Sequence, residues 1–526
     1  MPFHGKNFIG QTLSANGDKI NIAYKLNEAL EGKFISATEE EVKKTAELAS
    51  LAFKSYPYCS GEERATFLDA IADEILNLGD ALIQRVMAES ALPEGRVIGE
   101  RGRTIGQLKL FASYIREGSW VDAIIDTAQL DRAPIPKQDI RRKLMPLGPV
   151  VVFAASNFPL AFSVAGGDTA SALAGGNPVI VKAHSGHLGT SELIAGAIIS
   201  AAKKTNMPDG VFSLLHGSGR EVGQSLVKND LIKAVGFTGS YNAGRTLFDI
   251  ANARKEPIPV FAEMGSTNPV ILLPSSLAEK SEELAKSLAG SITQGTGQFC
   301  TNPGLIIAQK SDDLTEFIKH LSSEITSINP SSMLNKTVYS GYDKSYKSVL
   351  SEKSIKMEGT SSVDLDASKI EGKPTVVSVS AKMFIENNNL HQEVFGPFSM
   401  IVICDTDKEL HAVTECLEGQ LTGAIFGSES ELKKYKNTIH SLTERVGRIM
   451  FNNVPTGVEV CGAMQHGGPF PASTNGASTS VGTEAIKRFV RPVAFQNWPN
   501  ELLPDELKNE NPLNIWRRVD SEITKK

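Results

Sequence analysis

The feature that most constrains the fold is an alternation of short apolar runs with helical segments, which begins near residue 140. The first series predicts strands at residues 143–153, 178–182, 210–215 and 232–237, with helices at 165–173, 190–203 and 219–227. The second series predicts strands at residues 268–273, 304–308, 399–404 and 421–426, with a helix at 277–293. Strands that alternate with helices form βαβ units, so we expect parallel sheets with helices on both faces.

Three helices are predicted ahead of this alternation, at residues 38–51, 62–78 and 96–117, and no strong strand signal precedes them. Residues 361–374 are polar and are predicted to form an excursion on the surface. Residues 467–482 are rich in Gly, Ser and Thr, so this segment is predicted to be a long loop.

The charge balance and the cysteines restrict the possible partners. The net charge of −6 offers no basic surface for nucleic acid or an anionic membrane. The longest apolar stretch, residues 150–155, is far too short to cross a bilayer, and the N-terminus lacks a signal-peptide apolar region. The five cysteines include no CxxC pair, so neither a disulfide framework nor a zinc ribbon is expected. We therefore predict a cytoplasmic protein with no nucleic-acid or membrane partner.

Two residues have the chemistry that acyl transfer needs. Cys300 lies in the segment 295–302, which begins Gly-Thr-Gly, and Glu263 lies between apolar neighbours and Gly265. A thiolate attacks a carbonyl carbon, and a carboxylate draws a proton from water. The alternatives are that Cys300 is a small buried apolar residue and that Glu263 is a surface carboxylate.

Two turns between a strand and a helix are candidate phosphate sites, because free backbone N–H groups and the helix dipole meet there. One holds Gly219, Arg220 and Gly223, with GxGxxxG spacing rather than the usual dinucleotide fingerprint. The other is the segment Thr238, Gly239 and Ser240. The alternative for each is a tight turn that needs glycine.

Six short segments, taken in order, resemble the aldehyde dehydrogenase superfamily. They are residues 156–159, 178–182, 237–240, 263–265, 297–300 and 393–397. The resemblance covers about residues 35–500 and implies an α/β fold with a Rossmann-type cofactor domain, an α/β catalytic domain and a small β-element for oligomerisation. We place the cofactor-binding domain at residues 1–125 and 148–264 and the catalytic domain at 265–484. The oligomerisation segments and C-terminal tail would then be residues 126–147 and 485–526.

The resemblance also implies the catalytic roles. Cys300 would attack the aldehyde, and the Asn157 side chain and the Cys300 backbone N–H would stabilise the oxyanion. Glu263 would activate the water that hydrolyses the thioester, with a pKa raised by its apolar surroundings. On the same basis, a set of residues is expected to bind the nicotinamide cofactor: Lys182, Ser185, Gly219, Arg220, Gly223, Thr238, Gly239, Ser240, Glu393 and Phe395.

The cofactor is predicted to be NADP, with NAD possible. Members of the family that prefer NAD often carry Glu three residues after the lysine, where this chain has Ser185. A serine can donate to a 2′-phosphate that a carboxylate would repel, and Arg220 can pair with it. The adjacent Glu221 could neutralise part of that charge.

The sequence of residues 157–171 resembles that of one branch of the family, which includes 2,5-dioxopentanoate (α-ketoglutarate semialdehyde) dehydrogenases and an NADP-preferring fatty-aldehyde enzyme. The predicted reaction is therefore 2,5-dioxopentanoate to 2-oxoglutarate, with Arg103 and Phe158 as candidate substrate residues. The alternatives are a fatty or general aliphatic aldehyde dehydrogenase, a CoA-acylating enzyme, and a scaffold or crystallin-type use of the fold. The intact Cys300, Glu263 and Asn157 argue against the scaffold, and Glu263 argues against CoA acylation.

Other features concern metals and assembly. His184, His187 and Glu192 could suggest a metal pair, but turn histidines explain them better, so no metal is predicted. Residues 140–147 and 488–495 resemble the family's oligomerisation strands, which implies a homodimer or homotetramer. The tail from Asn497, with Trp498 and Trp516, is predicted to pack on a neighbouring subunit.

Overall fold

The computed structural model describes residues 3–25, 28–366 and 368–525 and contains three large sheets. The first sheet has seven strands, of which five run parallel; four of these are the predicted strands, and the fifth, Val260–Glu263, is an addition to them. Beside them, strand Asn7–Ile9 runs antiparallel to both of its neighbours. In spatial order the strands are Val260–Glu263, Ala234–Thr238, Val150–Phe153, Val179–Lys182, Phe212–Leu215, Asn7–Ile9 and Thr12–Ser14. The predicted βαβ alternation is thus present.

The helices before and within this sheet bury apolar faces in two cores, one on each face of the sheet. They are Glu39–Ala52, Gly61–Asn77, Gly79–Ser90, Glu94–Glu117, Gly167–Ala174, Leu188–Lys204, Gln224–Lys228 and Tyr241–Asn252. The first begins where its sequence predicts, because the Thr38 side chain accepts from the Glu41 N–H while the Glu41 carboxylate accepts from the Thr38 N–H.

The second sheet also has seven strands, and all but the first run parallel. In spatial order they are Lys356–Thr360, Thr375–Ser380, Phe398–Cys404, Leu305–Gln309, Val270–Leu272, Gln420–Phe426 and Val446–Phe451. The helices of this part are Pro274–Thr293, Asp312–Ser327, Lys336–Leu350, Ala381–Glu386, Asp407–Cys416, Glu429–Lys434 and Lys436–Arg445. Two further strand pairs are Ile20–Lys25 with Glu28–Ile35, and Ser331–Ser332 with Glu371–Gly372.

The expectation that no strand precedes the first helix is wrong, since four strands lie before Glu39. Two of them have only three residues each, and the hairpin Ile20–Lys25 with Glu28–Ile35 is largely exposed, so neither pair has a buried apolar run longer than the two residues Phe8 and Ile9. Such short strands are stabilised by their neighbours in the sheet, which a local sequence pattern does not reveal.

The third sheet contains part of the C-terminal tail. Its five strands, in spatial order, are Val490–Gln496, Ile140–Pro146, Ile124–Asp126, Arg517–Val519 and Glu522–Thr524. The tail therefore pairs with strand Ile124–Asp126 of its own chain. Leu503, Leu507 and Ile515 are buried in the same core as the first sheet, whereas Trp498 and Trp516 remain half exposed.

The long loop at residues 467–482 contains no helix or strand, as predicted, and it crosses the end of the first sheet. The Met264 N–H donates to the Ala472 carbonyl at 2.8 Å, and the Ala262 N–H donates to the Thr474 hydroxyl at 2.9 Å. This contact places the loop beside Glu263. Among the described residues, no helix is both long and apolar enough to span a membrane.

The tail should contribute to the stability of its own subunit. We expect Leu507→Ala to lower the free energy of unfolding by ~2–5 kcal/mol, the usual cost of removing a fully buried leucine, because this side chain is 0% exposed. Leu502→Ala is the matched control, since Leu502 is 67% exposed and its loss should cost less than about 0.5 kcal/mol. Urea unfolding measures both, and equal effects would contradict the assignment.

Candidate active site

The nucleophile candidate, Cys300, follows a tight irregular turn. Gly295, Thr296 and Gly297 all have positive φ values, of 55°, 58° and 64°. At Gly297 a Cβ would lie 2.2 Å from the Gly396 carbonyl carbon, so only glycine allows this close approach. After the turn, the Asn268 side-chain amide donates to the Cys300 carbonyl at 2.8 Å and fixes the loop.

The structure brings Cys300 and Glu263 together around a third residue, His466. The His466 Nε2 atom lies 3.4 Å from the Cys300 Sγ atom and 3.1 Å from the Glu263 Oε1 atom. The other Glu263 oxygen, Oε2, accepts a hydrogen bond of 2.6 Å from the Ser480 hydroxyl. Glu263 and His466 are both buried. The contacts of the imidazole Nε2 atom with the thiol and the carboxylate are therefore shielded from bulk water.

This arrangement sets the charges of the site. Burial alone would lower the pKa of His466, but the Glu263 carboxylate and the Cys300 sulfur outweigh burial and raise that pKa to about 10. Burial alone would raise the pKa of Glu263, but His466, Ser480 and Arg488 outweigh it, and the pKa of Glu263 is lowered. The expectation of a raised pKa for Glu263 is therefore wrong, because its surroundings are not apolar.

The same three side chains form a group of potential metal ligands, with atoms of Glu263, Cys300 and His466 within 4.8 Å of one another. A protonated imidazole has no lone pair to give to a metal. With the pKa of His466 raised to about 10, a metal ion would have to displace a proton from this imidazole before it could bind.

Asn157 lies in an irregular segment after strand Val150–Phe153 and approaches the nucleophile loop. Its Nδ2 atom donates to the Gln298 carbonyl at 3.1 Å, which brings the amide next to the turn that carries Cys300. Phe158, the following residue, is buried and packs edge-on against Phe299 with ring centroids 5.5 Å apart. The Asn157 side chain is thus near the Cys300 backbone, as an oxyanion donor must be.

Arg103 lies beside this cluster. Its guanidinium is 5.8 Å from the Phe158 ring centroid and 5.5 Å from that of Phe162. Its buried Nε and Nη2 atoms have no hydrogen-bond partner among the residues that the structure describes. Burial lowers the pKa of Arg103, and Cys300 and Glu100 oppose that change. By contrast, Arg448 donates to the carbonyl oxygens of Pro455 and Gly457.

The candidate cofactor residues lie at the carboxyl ends of the first sheet. Lys182, the last residue of its strand, is buried, and burial lowers its pKa to about 8. Ser185 is exposed three residues later, with no carboxylate at that position. The expected adenosine side of the site is therefore lined by a cation and a hydroxyl.

The first glycine turn opens towards solvent. A Cβ at Gly219 would meet no atom within 4 Å, so this glycine leaves open space at the turn. A Cβ at Gly223 would lie 2.8 Å from the Phe153 ring, so this glycine allows the turn to pack closely against that ring. Arg220 is exposed at this turn, and the carboxylate of Glu221 pairs with Lys19. An open turn with free space for an anion fits the phosphates of a dinucleotide.

The second glycine turn and the segment around Glu393 complete the cradle. Thr238, Gly239 and Ser240 link strand Ala234–Thr238 to helix Tyr241–Asn252, and Gly239 and Ser240 are exposed. A Cβ at Gly265 would lie 2.6 Å from the Glu393 Oε2 atom, so the glycine lets Glu393 pack against the Glu263 segment. Burial raises the pKa of Glu393 to about 8, opposed by a hydrogen bond from the Ser266 N–H.

Phe395 is partly buried and lies two residues after Glu393, along the same wall. Together with the two glycine turns and Lys182, these residues present the backbone donors, cations and apolar surface that a nicotinamide dinucleotide requires. The fit of the dinucleotide depends on two glycines. A larger residue at Gly219 would fill the open space, and one at Gly265 would displace Glu393.

The histidines at 184 and 187 do not form a metal site with Glu192. The His187 ring contacts the Ser191 hydroxyl at 3.2 Å and the Ala155 carbonyl at 2.8 Å. The Glu192 carboxylate instead accepts from the backbone N–H groups of His4 and Gly5. These residues hold the N-terminal segment and the helix start in place.

Comparison with known proteins agrees with this geometry. Residues 13–494 match the model of the Aldehyde dehydrogenase family. The chain is 48% identical to alpha-ketoglutaric semialdehyde dehydrogenase 2 of Azospirillum brasilense over 92% of each chain. It is 44% identical to alpha-ketoglutaric semialdehyde dehydrogenase of Acinetobacter baylyi over 99% of each chain.

Solved structures show the same fold. Betaine aldehyde dehydrogenase of Staphylococcus aureus in complex with NAD+ is 18% identical, with a TM-score of 0.79 over 94% of each chain. A 1-pyrroline-5-carboxylate dehydrogenase is 20% identical, with a TM-score of 0.78 over 94% of this chain and 93% of that one. The chain belongs to the aldehyde dehydrogenase family. It is an enzyme that oxidises an aldehyde to the corresponding carboxylic acid.

His466 and Ser480 are the site residues that sequence reasoning missed. His466 stands in Gln465-His466-Gly467-Gly468, a setting in which a histidine flanked by glycines could have been noted. Its partners are distant in sequence, since His466 and Cys300 are 166 positions apart, so spacing alone does not connect them.

His466 should control the reactivity of Cys300. The His466 Nε2 atom lies 3.4 Å from Sγ, so we expect His466→Gln, which removes this positive neighbour of the sulfur, to slow alkylation of Cys300 by iodoacetamide ~10-fold or more. Because the pKa of His466 is raised to about 10, its charge is present below that pH. The difference from the wild type should therefore shrink as pH rises through about 10.

The control variant is His440→Gln, because His440 lies at the surface with its side chain 77% exposed. It should alkylate at the wild-type rate. Equal rates for His466→Gln and wild type at pH 7, or a ratio that does not change with pH, would contradict the role of the imidazolium.

Proposed function

We propose that the enzyme oxidises 2,5-dioxopentanoate to 2-oxoglutarate with NADP as the preferred cofactor, in the cytoplasm. The observation that carries the substrate is Arg103, a partly buried guanidinium beside the site with two nitrogens that lack hydrogen-bond partners among the described residues. A buried donor without a partner is costly, and a substrate carboxylate would satisfy it. The two relatives at 44% and 48% identity carry the name of the same semialdehyde.

The first half of the reaction forms the bond to sulfur. The Cys300 thiolate adds to the aldehyde carbon, and the Asn157 amide and the Cys300 backbone N–H donate to the developing oxyanion. The imidazolium of His466 lies 3.4 Å from the attacking Sγ atom. A nicotinamide cofactor, held by the residues of the cradle, would supply the acceptor for the hydride that leaves the thiohemiacetal carbon as the thioester forms.

The second half releases the acid. A water adds to the thioester carbon while its proton passes to Glu263, and the C–S bond then breaks to return a thiolate beside His466. Because the pKa of Glu263 is lowered, the carboxylate is ionised and able to accept the proton at neutral pH. Ser480 donates to the Glu263 Oε2 atom at 2.6 Å and so orients the carboxylate that acts as the base.

The preference for NADP is supported by charge. Ser185 replaces the carboxylate that would repel a 2′-phosphate, and Arg220 is exposed at the neighbouring turn. Glu221 is paired with Lys19, so it does not neutralise Arg220. Arg220, Ser185 and the Gly219 turn would hold the 2′-phosphate and the pyrophosphate.

A fatty or aliphatic aldehyde is the second candidate substrate, because aromatic rings form one wall of the site. Phe158 packs against Phe162 and Phe299 with ring centroids 5.4 and 5.5 Å apart. An alkyl chain could pack on this wall without any need for Arg103. The two candidates therefore differ in their dependence on one arginine.

We also propose that the enzyme is a homodimer or homotetramer in the cytoplasm. Strand Val490–Gln496 is an edge of the third sheet and so offers a row of backbone groups for pairing with another chain. All five cysteines are free, which suits a reducing compartment.

A substrate panel with Arg103→Met tests the proposed substrate. We expect KM for 2,5-dioxopentanoate and succinic semialdehyde to rise ~10- to 100-fold, the value of a charge-assisted hydrogen-bond pair. KM for hexanal should remain within about threefold, since hexanal has no carboxylate. Lys109→Met, an exposed cation on the same helix, is the control. Equal losses on hexanal and the semialdehydes, or faster wild-type turnover of hexanal, would refute the assignment.

Arg220→Ala tests the proposed cofactor. We expect the Kd for NADP to rise ~10- to 100-fold while the Kd for NAD changes less than about threefold, because only NADP carries the 2′-phosphate. Titration calorimetry measures both without turnover. Lys228→Ala, an exposed cation just past the same turn, should change neither. A wild-type kcat/KM for NAD well above that for NADP would overturn the preference.

A further inference from the structure

Helix Glu94–Glu117 presents an unusual polar row to the active site. Arg96, Glu100, Arg103 and Gln107 follow the spacing i, i+4, i+7 and i+11, which places them on one face of the helix. Glu100 and Gln107 are buried beside Val97, Leu108 and Phe111. Burying charges costs several kcal/mol unless they are paired, so this row needs a physical explanation beyond packing.

Glu100 holds the segment that carries Asn157. Its Oε1 atom accepts hydrogen bonds from the backbone N–H groups of Leu160 and Ala161, at 2.9 and 3.0 Å. The segment between strand Val150–Phe153 and helix Gly167–Ala174 has no regular structure of its own to satisfy such groups. The carboxylate, only 2% exposed, therefore anchors the turn directly after the oxyanion amide.

Arg96 links that anchor to the nucleophile loop. Its Nη1 atom lies 2.8 Å from the Glu100 Oε2 atom. Its guanidinium lies over the Phe158 ring at 4.4 Å and near the Phe299 ring at 5.5 Å. Phe158 follows Asn157 and Phe299 precedes Cys300, so one cation contacts the neighbours of both oxyanion donors.

We propose that Arg96 and Glu100 are positioning residues that hold the Asn157 amide and the Cys300 backbone N–H at the spacing the oxyanion requires. Neither residue needs to touch the substrate. The pair acts at the step common to all aldehydes, so the proposal does not depend on which aldehyde is the physiological one. Since Glu100 is engaged by Arg96, Arg103 retains its charge for a substrate carboxylate.

Arg96→Met tests the proposal by removing the charge and the planar contact while keeping the length of the side chain. We expect kcat to fall ~10- to 100-fold for both succinic semialdehyde and hexanal, because displacement of a reacting group by about 1 Å can cost ~100-fold. KM for both aldehydes and the Kd for NADP should stay within about threefold. The rate of Cys300 alkylation should not change, since His466 and Glu263 are untouched.

Two further variants separate positioning from folding. Arg96→Lys keeps the ion pair with Glu100 but loses the planar contact, so its kcat should lie between those of Arg96→Met and wild type. Lys109→Met, on the same helix, should leave kcat unchanged. A thermal unfolding midpoint close to that of wild type in Arg96→Met would show that the loss of kcat is not a loss of fold.

Several outcomes would overturn the proposal. An unchanged kcat in folded Arg96→Met would show that the donors hold their places without the pair. A loss confined to succinic semialdehyde would make Arg96 a substrate ligand instead. If both Arg96→Met and Arg96→Lys unfolded below the assay temperature, the pair would serve stability rather than catalysis.

Discussion

The contact between Glu263 and His466 is the interaction on which the rest of the site depends. Two buried charges are stable only when they compensate each other, and here the imidazolium lies 3.1 Å from the carboxylate and 3.4 Å from the thiol. Glu263 ends a strand of the first sheet, Cys300 lies in a turn beside the second sheet, and His466 precedes the loop that crosses between them. The chemistry is therefore assembled from three distant parts of the chain.

The charge on His466 serves both halves of the reaction. In the proposed mechanism it lies beside the sulfur that attacks the aldehyde, and beside the same sulfur when the C–S bond breaks. The cost is a weaker base, since the same imidazolium lowers the pKa of Glu263. Burial and the Ser480 hydrogen bond keep this carboxylate oriented. Its lower basicity is therefore offset by its fixed position and by its ionised state at neutral pH.

Much of the fold follows from sequence pattern, because strands buried on both faces read as continuous apolar runs. The run Val150–Phe153 is such a strand. The helix Glu39–Ala52 is predictable for a different reason, because Thr38 and Glu41 form a capping box at its start. The strands Asn7–Ile9 and Thr12–Ser14 were not predictable, because they depend on pairing with distant neighbours. Cys300, Glu263 and Asn157 were found through ordered motifs. The lowered pKa of Glu263 was not, because its cause is a histidine brought near only by folding.

Helix Glu94–Glu117 shows how a fold can divide charges between structure and recognition. Of the three charged residues in its polar row, Arg96 and Glu100 are 2.8 Å apart and offset each other, which leaves the positive charge of Arg103 uncompensated within the row. Two buried nitrogens of Arg103 have no hydrogen-bond partner among the described residues, and this costs free energy in the free enzyme. That cost is recovered only when an anionic group binds, so a semialdehyde with a carboxylate gains affinity that an alkyl aldehyde does not. Under the proposed substrate assignment, the aromatic wall around Phe158 would accept either chain, and selectivity would rest on Arg103 rather than on the shape of the wall.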